Sequence, residues 1–575
     1  MKTDRDLARQ LASIERRGYP AYKSLRGSYD MGGFTLSIDH VQGDPFAAPS
    51  QLSVVVPART AGFPRPLFDA PHRKVALEDV LIRRFAQAAS RVSFKVGGSG
   101  KSGLLATSRP GPEVLARSAC EVSRDGSITL RFEAGLPAHG RTVDARACER
   151  MLLDLAPRCV DEALVCDDRA LAVAQRAVDL ADDQQAVRDE LGRLGLVAFV
   201  ADGSVLPRAT GVSAKPLKGA RPFASPASMR VTIDLPHRGP TSGMGIARGI
   251  TLIVGGGYHG KSTLLRALQD GVYNHVAGDG RELVITDATA VKLRAEDGRP
   301  VHDADISLFI GDLPDGRDTH RFSTEDASGS TSQAAGVIEA LEAGARALLV
   351  DEDTSATNFM VRDALMEAVV SGEHEPITPF VERVRDLWEQ AGVSCVIVAG
   401  SSGAFFSVAD AVIQMDRYEA HDITERVRRV CADLQAPQTP RAAGFALPRR
   451  ERRVRIFGIK SQARGGRRGS DARIKVRVRG LDEFSVGGGS VDVRLVEQLV
   501  DEEQTSALAQ CVRCAAARGL LDGTHTAGDI VAALYAMIDE RGWSAWSEHG
   551  DASCGLALPR PQELFAALNR WRAAG

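Results

Sequence analysis

The run Gly255-Gly256-Gly257-Tyr258-His259-Gly260-Lys261-Ser262 carries the clearest chemistry in the sequence. Glycines let backbone N–H groups wrap closely around phosphate oxygens, and a lysine and a hydroxyl then meet those oxygens as a point charge and a metal ligand. The pattern GxxxxGK[ST] needs a strand before it and a helix after it. Ile250 to Val254 is a compact β-branched run, and Thr263 to Leu268 has amphipathic helical spacing. Lysine is scarce, 11 against 61 Arg, so its placement here is informative. The loop is expected to bind ATP through Gly255, Gly256, Gly257, Tyr258, His259, Gly260, Lys261, Ser262 and Thr263. Lys261 would reach the β and γ phosphates, and Ser262 would ligate Mg²⁺.

Two acids end the apolar run Ala347-Leu348-Leu349-Val350-Asp351-Glu352, ninety residues beyond Lys261. A strand of this type is expected beside the loop strand, with Asp351 toward magnesium and Glu352 orienting or deprotonating the attacking water. The plain alternative is a strand that ends in solvated acids. Ala327-Ser328-Gly329-Ser330-Thr331-Ser332-Gln333 opens a helix whose hydroxyls and N-terminus could bind an anion, through Ser328, Gly329 and Ser330, or simply cap the helix.

Other patterns read as structure. Gly97-Gly98-Ser99-Gly100-Lys101-Ser102-Gly103 contains GKS, but Lys95 stands where the first glycine belongs, and a flexible turn is expected. Cys511 and Cys514 have CxxC spacing inside a helical run with no second pair, so no metal is assigned to them. His40 and Asp44 lie in a Gly/Pro-rich turn without a third partner, and a hydrogen-bonded turn is the expectation.

The elements that must position these residues fall into three stretches. Residues 1–225 mix strands and helices and end in a Pro/Gly/Lys-rich linker. Residues 226–425 alternate strand, glycine turn and helix, the pattern of a mostly parallel sheet. Residues 426–575 begin with a charged helix and a Pro/Ala-rich stretch, then a basic block and a small helical domain. The 575 residues are 44% hydrophobic with a formal charge of −2, which excludes a wholly disordered chain or one basic throughout. No run approaches 18 apolar residues and the start is acidic, so a cytoplasmic protein without membrane contact is expected.

With Ser328 placed 23 residues before Asp351, the sequence resembles the predicted ATPases of the ABC class, a group of stand-alone proteins without membrane segments. The resemblance runs through Gly27-Ser28-Tyr29-Asp30, Ile38 to Phe46, the phosphate loop, Arg294 to Gly298, Ala327 to Gln333, Asp351 to Phe359 and Val496 to Asp501, nearly the full chain. It implies an α/β fold: an ABC-type P-loop ATPase core, a mixed α/β N-terminal domain and a smaller α+β C-terminal domain. It also implies that Ser328, Gly329 and Ser330 reach across a homodimer to ATP held by the other chain, near Asn358. Two departures bear on mechanism. The only Gln between loop and signature is Gln269, and no His lies between His374 and His421, where a switch histidine would stand. Slow or partner-gated hydrolysis follows.

From Arg449 to Arg479 the sequence has eleven Arg and two Lys against two acids, a net of +11. Such a block can neutralise nucleic-acid phosphates, RNA more than DNA, or pair with acidic surface. The leading expectation is an ATPase whose dimerisation clamps or remodels nucleic acid. The alternatives are an ATP-gated dimeric switch with little turnover and the detached ATPase subunit of a transporter.

Overall fold

The structure is a computed structural model that describes residues 1–362, 375–400, 402–436, 438–448, 452–456, 458–459, 461–463, 472–547 and 552–573. The chain forms two compact units, one of residues 1–182 and 541–558 and the other of residues 183–540 and 559–575.

In the first unit, alternation makes the sheet. Ile128, Leu130, Phe132 and Ala134 of the strand Ile128–Ala134 are all buried, and the residues between them are half-buried. This strand pairs antiparallel with Ser50–Val56, which pairs with Thr35–His40, which pairs with Gly27–Asp30. The 22-residue helix Pro71–Val92 starts with proline in its first turn, where a missing N–H does no harm. It sets Phe85 against Phe132, ring centroids 5.3 Å apart.

The GKS turn lies in this unit, and several of its backbone amides already have acceptors. Ser99 N donates to Ala138 O, Lys101 N to Pro45 O and Gly103 N to Gly135 O, at 2.7–2.9 Å. A Cβ on Gly100 would sit 2.3 Å from the Pro45 carbonyl oxygen. It is a packed turn whose Ser99, Lys101 and Gly103 amides are already taken. Asp44 likewise caps its own turn, accepting from the amides of Phe46 and Ala47.

The second unit is built on a six-stranded sheet in the order Val291–Leu293, Ala347–Asp351, Ser394–Val398, Ile250–Val254, Ala411–Asp416 and Glu419–Asp422. The first five strands are parallel and the last turns back antiparallel. The central strands are apolar at nearly every position because they are covered on both faces. The carboxylate strand is therefore not the neighbour of the loop strand, as the sequence suggests. Ser394–Val398 is inserted between them and pairs with both.

A four-stranded antiparallel sheet of Arg230–Leu235, Gly239–Ala247, Leu196–Ala201 and Val284–Thr286 belongs to the same unit. So does a C-terminal sheet of Val476–Arg479, Glu483–Val486, Gly489–Asp492 and Trp571–Arg572, against which the helix Glu502–Ala517 packs. Cys511 and Cys514 are buried in that helix, and burial pushes the Cys511 thiol well above its ordinary value. The architecture is the α/β core with flanking modules expected from the sequence.

Candidate nucleotide site

Parallel strands deliver the chemistry to one end of the sheet. Asp351 and Ile253 are both in register with Val398, so the acid lies level with the end of the loop strand, two strand spacings away. At about 4.8 Å per strand that is roughly 10 Å. A metal ion with its phosphate oxygens can span such a gap; a direct contact cannot.

The loop itself is held in shape by backbone chemistry. Gly255 and Gly260 have φ of 141° and 101°, in the region that favours glycine. A Cβ would lie 2.3 Å from Met415 O at the first and 2.8 Å from the Tyr418 ring at the second. Lys261 Nζ donates to the carbonyls of Gly255 (2.6 Å) and Gly256 (3.0 Å), which keeps its charge within the loop's bowl. Ser262 and Thr263 stand in the first turn of the helix Lys261–Asp270, where backbone N–H groups have no acceptor inside the helix. Tyr258 is fully exposed at the loop's tip.

Sequence reading missed what holds His259. Its Nδ1 lies 2.8 Å from Asp416 Oδ1, to which it donates when it carries the proton, and its carbonyl accepts from the amide of Tyr418. These residues form the tight hairpin between Ala411–Asp416 and Glu419–Asp422. Arg417 and Tyr418 both adopt positive φ, 48° and 67°, as a two-residue hairpin of this hand requires. The loop therefore leans on a strained, non-glycine turn.

At the carboxylate strand, Asp351 is buried and Glu352 half-exposed. Burial raises the Asp351 carboxyl above its ordinary value, partly offset by the Asp353 amide and by Lys292. Glu352 Oε2 accepts from the backbone N–H of Gly400 at 2.6 Å. Gly400 follows the inserted strand, at the place where the sequence lacks a switch histidine; Ser401, beside it, lies outside the described residues. Lys292, also missed, has its ammonium on Thr354 Oγ1 at 3.2 Å, in the turn that follows Glu352. Burial holds that ammonium below its ordinary value against the pull of Glu497 and Asp351.

The helix Gly329–Glu342 is capped by Ser328, whose Oγ accepts from the Thr331 amide. Its hydroxyls divide. Ser328 is exposed, Ser330 is nearly buried, and Ser332 turns inward to accept from Glu296 N and donate to Gly329 O. Buried Gln333 donates to Ser355 Oγ and accepts from Ala356 N, tying this helix to the segment after Glu352. Nothing local in the sequence distinguishes Gln333 from any other helical glutamine.

The basic block divides as well. Residues 464–471, with Arg467 and Arg468, lie outside the described residues, as do Arg449 and Arg450. Arg452 is buried and paired with Glu342 at 2.6 Å. Arg477 and Arg479 are exposed on the strand Val476–Arg479. Among the described residues no cluster of three or more His, Cys, Asp or Glu could hold a metal ion. A Mg²⁺ shared with phosphates needs none, because one hydroxyl and one carboxylate suffice from the protein. No helix among them is long and apolar enough to cross a membrane.

Three family models match the chain in succession. One described as the N-terminal part of ATPases of the ABC class covers residues 4–167, an ABC ATPase P-loop domain covers 171–451, and the MRB1590 C-terminal domain covers 475–575. The uncharacterized protein MJ1628 of Methanocaldococcus jannaschii is 30% identical over 273 residues, 44% of this chain; the chain spans 60% of that relative's length. Among solved structures, the ADP conformation of MJ1267, an ATP-binding cassette of an ABC transporter, is 14% identical with a TM-score of 0.23, covering 34% of this chain and 89% of that one. The cbiO1 protein of Clostridium perfringens, part of the transporter complex cbiONQ, is 13% identical with a TM-score of 0.25, covering 42% and 96%. With a phosphate loop, an Asp-Glu strand end and a capped helix on a parallel sheet, and with family models along nearly its whole length, the chain belongs to the ABC-class ATPases.

Proposed function

We propose that this chain binds ATP with Mg²⁺ and hydrolyses it, slowly, in a cytoplasmic homodimer with two composite sites, and that turnover is coupled to nucleic acid, RNA more than DNA. The observation that carries this reading is the Glu352–Gly400 contact at the loop end of the sheet. It orients a carboxylate that, on this reading, serves as the base for an attacking water.

The roles follow from the groups present. The glycine loop and the helix N-terminus receive phosphate oxygens, and Lys261 neutralises charge on the β and γ phosphates. Ser262 and Asp351 are hard oxygen donors suited to Mg²⁺, which when bound supplies further charge neutralisation. Glu352 orients the water and takes its proton. Ser328, Gly329 and Ser330 close on the γ-phosphate held by a second copy. The Gly400 amide is a neutral donor, and a neutral donor stabilises a developing anion less than a protonated histidine does. That difference underlies the slow rate. It also gives the second reading, an ATP-gated switch with little turnover, its specific support.

The nucleic-acid contact is assigned to the segment Arg449–Arg479, less Arg452, whose charge is taken up by Glu342. The test is ATPase turnover of wild type and Glu352→Gln, each with and without RNA or single-stranded DNA, at two salt concentrations. Acceleration by RNA that fades at high salt, with loss of at least a hundredfold in the variant, is the expected result. Negligible turnover throughout, with ATP still bound, leaves the switch reading in its place.

A further inference from the structure

Lys292 is buried, its side chain only 4% exposed. An ammonium withdrawn from water is kept only where partners replace the water, and an apolar pair usually packs as well or better. The partners of this one come from three stretches of chain. They are the Leu293 carbonyl at 2.9 Å, Thr354 Oγ1 at 3.2 Å and, at ion-pair distance, Glu497 Oε2 at 3.8 Å.

Thr354 closes the turn Glu352–Thr354 directly after Asp351. Its hydroxyl donates to Asp351 O, and its carbonyl accepts from Ala295 N. Whatever fixes Thr354 therefore fixes the turn on which Glu352 rides.

Glu497 arrives from the far C-terminal part of the chain, and its own position is heavily determined. Arg294 holds its carboxylate at 2.6 Å, and its backbone carbonyl accepts from Gln269 in the phosphate-loop helix. The next residue, Gln498, is fully committed. Its Oε1 accepts from Lys292 N, its Nε2 donates to Gln269 O and Ala290 O, and its carbonyl accepts from the Tyr273 hydroxyl. The C-terminal segment thus grips the phosphate-loop helix and the edge strand together, and presents one carboxylate to the lysine between them and the catalytic turn.

We propose that Glu497 and Lys292 are positioning residues for hydrolysis: Glu497 holds the Lys292 ammonium against Thr354 and so sets the turn that carries Glu352. This rests on the reading of Glu352 given above and adds a regulation to it. The C-terminal module controls the rate of the chemical step while leaving nucleotide binding to the loop.

The experiment is steady-state ATPase kinetics and fluorescent-nucleotide binding on full-length Glu497→Gln, Lys292→Met, the double variant and Glu352→Gln, with a thermal melt of each. Glu497→Gln should lower kcat about tenfold with KM and nucleotide Kd within about twofold of wild type, and the double variant should be no slower than Lys292→Met alone. Additive losses, or losses matched by weaker binding or by unfolding at the assay temperature, would show a structural staple and overturn the proposal. Wild-type kcat in all three positioning variants, with Glu352→Gln inactive, would overturn it while sparing the site. Should wild type not turn over, or Glu352→Gln be as active as wild type, the site reading fails and takes this one with it.

Discussion

A methyl group at position 255 would sit 2.3 Å from the Met415 carbonyl oxygen, whereas one at position 257 would meet nothing within 4 Å. The two glycines of one loop are thus unequal. Gly255→Ala should lower ATP affinity at least tenfold and stability by about 1–3 kcal/mol, because both the close approach and the positive φ resist a side chain. Gly257→Ala should change stability by less than about 0.5 kcal/mol. Nucleotide titration and urea melts of the two variants side by side decide it. At this scale the sequence was legible wherever chemistry depends on residues close in the chain, as it does from Gly255 to Ser262. It was silent where a role depends on a distant partner. Nothing near Lys292 announces Glu497, and nothing near His259 announces Asp416.

Helices and strands were legible one at a time and their neighbours were not. Periodicity marks Ala347–Asp351 and Ser394–Val398 as buried strands, but which lies beside Ile250–Val254 is settled by how helices pack over the sheet, and the later strand takes the inner place. Within an element, burial can also override a residue's usual chemistry. Glu78, in the helix Pro71–Val92, is buried, and burial pushes its carboxyl up to about 7 from 4.5, though it accepts from Val122 N and has Lys74 nearby. The native state therefore binds this proton more tightly than the unfolded chain does. The stability it contributes is complete below about pH 4.5 and is lost as pH rises through about 7. Glu78→Gln keeps an acceptor for Val122 without the charge. It should match wild type near pH 4.5 and exceed it at pH 8 by at most about 3 kcal/mol, read from urea melts at both pH values.

The described residues carry one phosphate loop and one Ser328-capped helix, so on the proposed composite arrangement two complete sites need two chains. Glu352→Gln with ATP should therefore run at twice the monomer mass by light scattering, since slowed hydrolysis traps the closed pair. Ser328→Glu, which places a carboxylate at the exposed helix N-terminus proposed to meet phosphate, should stay monomeric in the same background. Its own fold should lose no more than about 1 kcal/mol, because glutamate sits well near a helix N-terminus even as it gives up the serine cap. A dimer that forms without nucleotide would contradict both expectations.

The path of the chain has a consequence for how the protein is made. Residues 1–182 are synthesised before residues 541–558, yet their unit includes that later stretch, which supplies buried Trp546 and the paired hydrogen bonds between Ser118 and Leu556. The N-terminal unit therefore stays without this cover until a much later stretch of the chain has been made. A nascent chain halted at residue 540 would hold an N-terminal unit without that cover, a client for chaperones until residues 541–558 emerge.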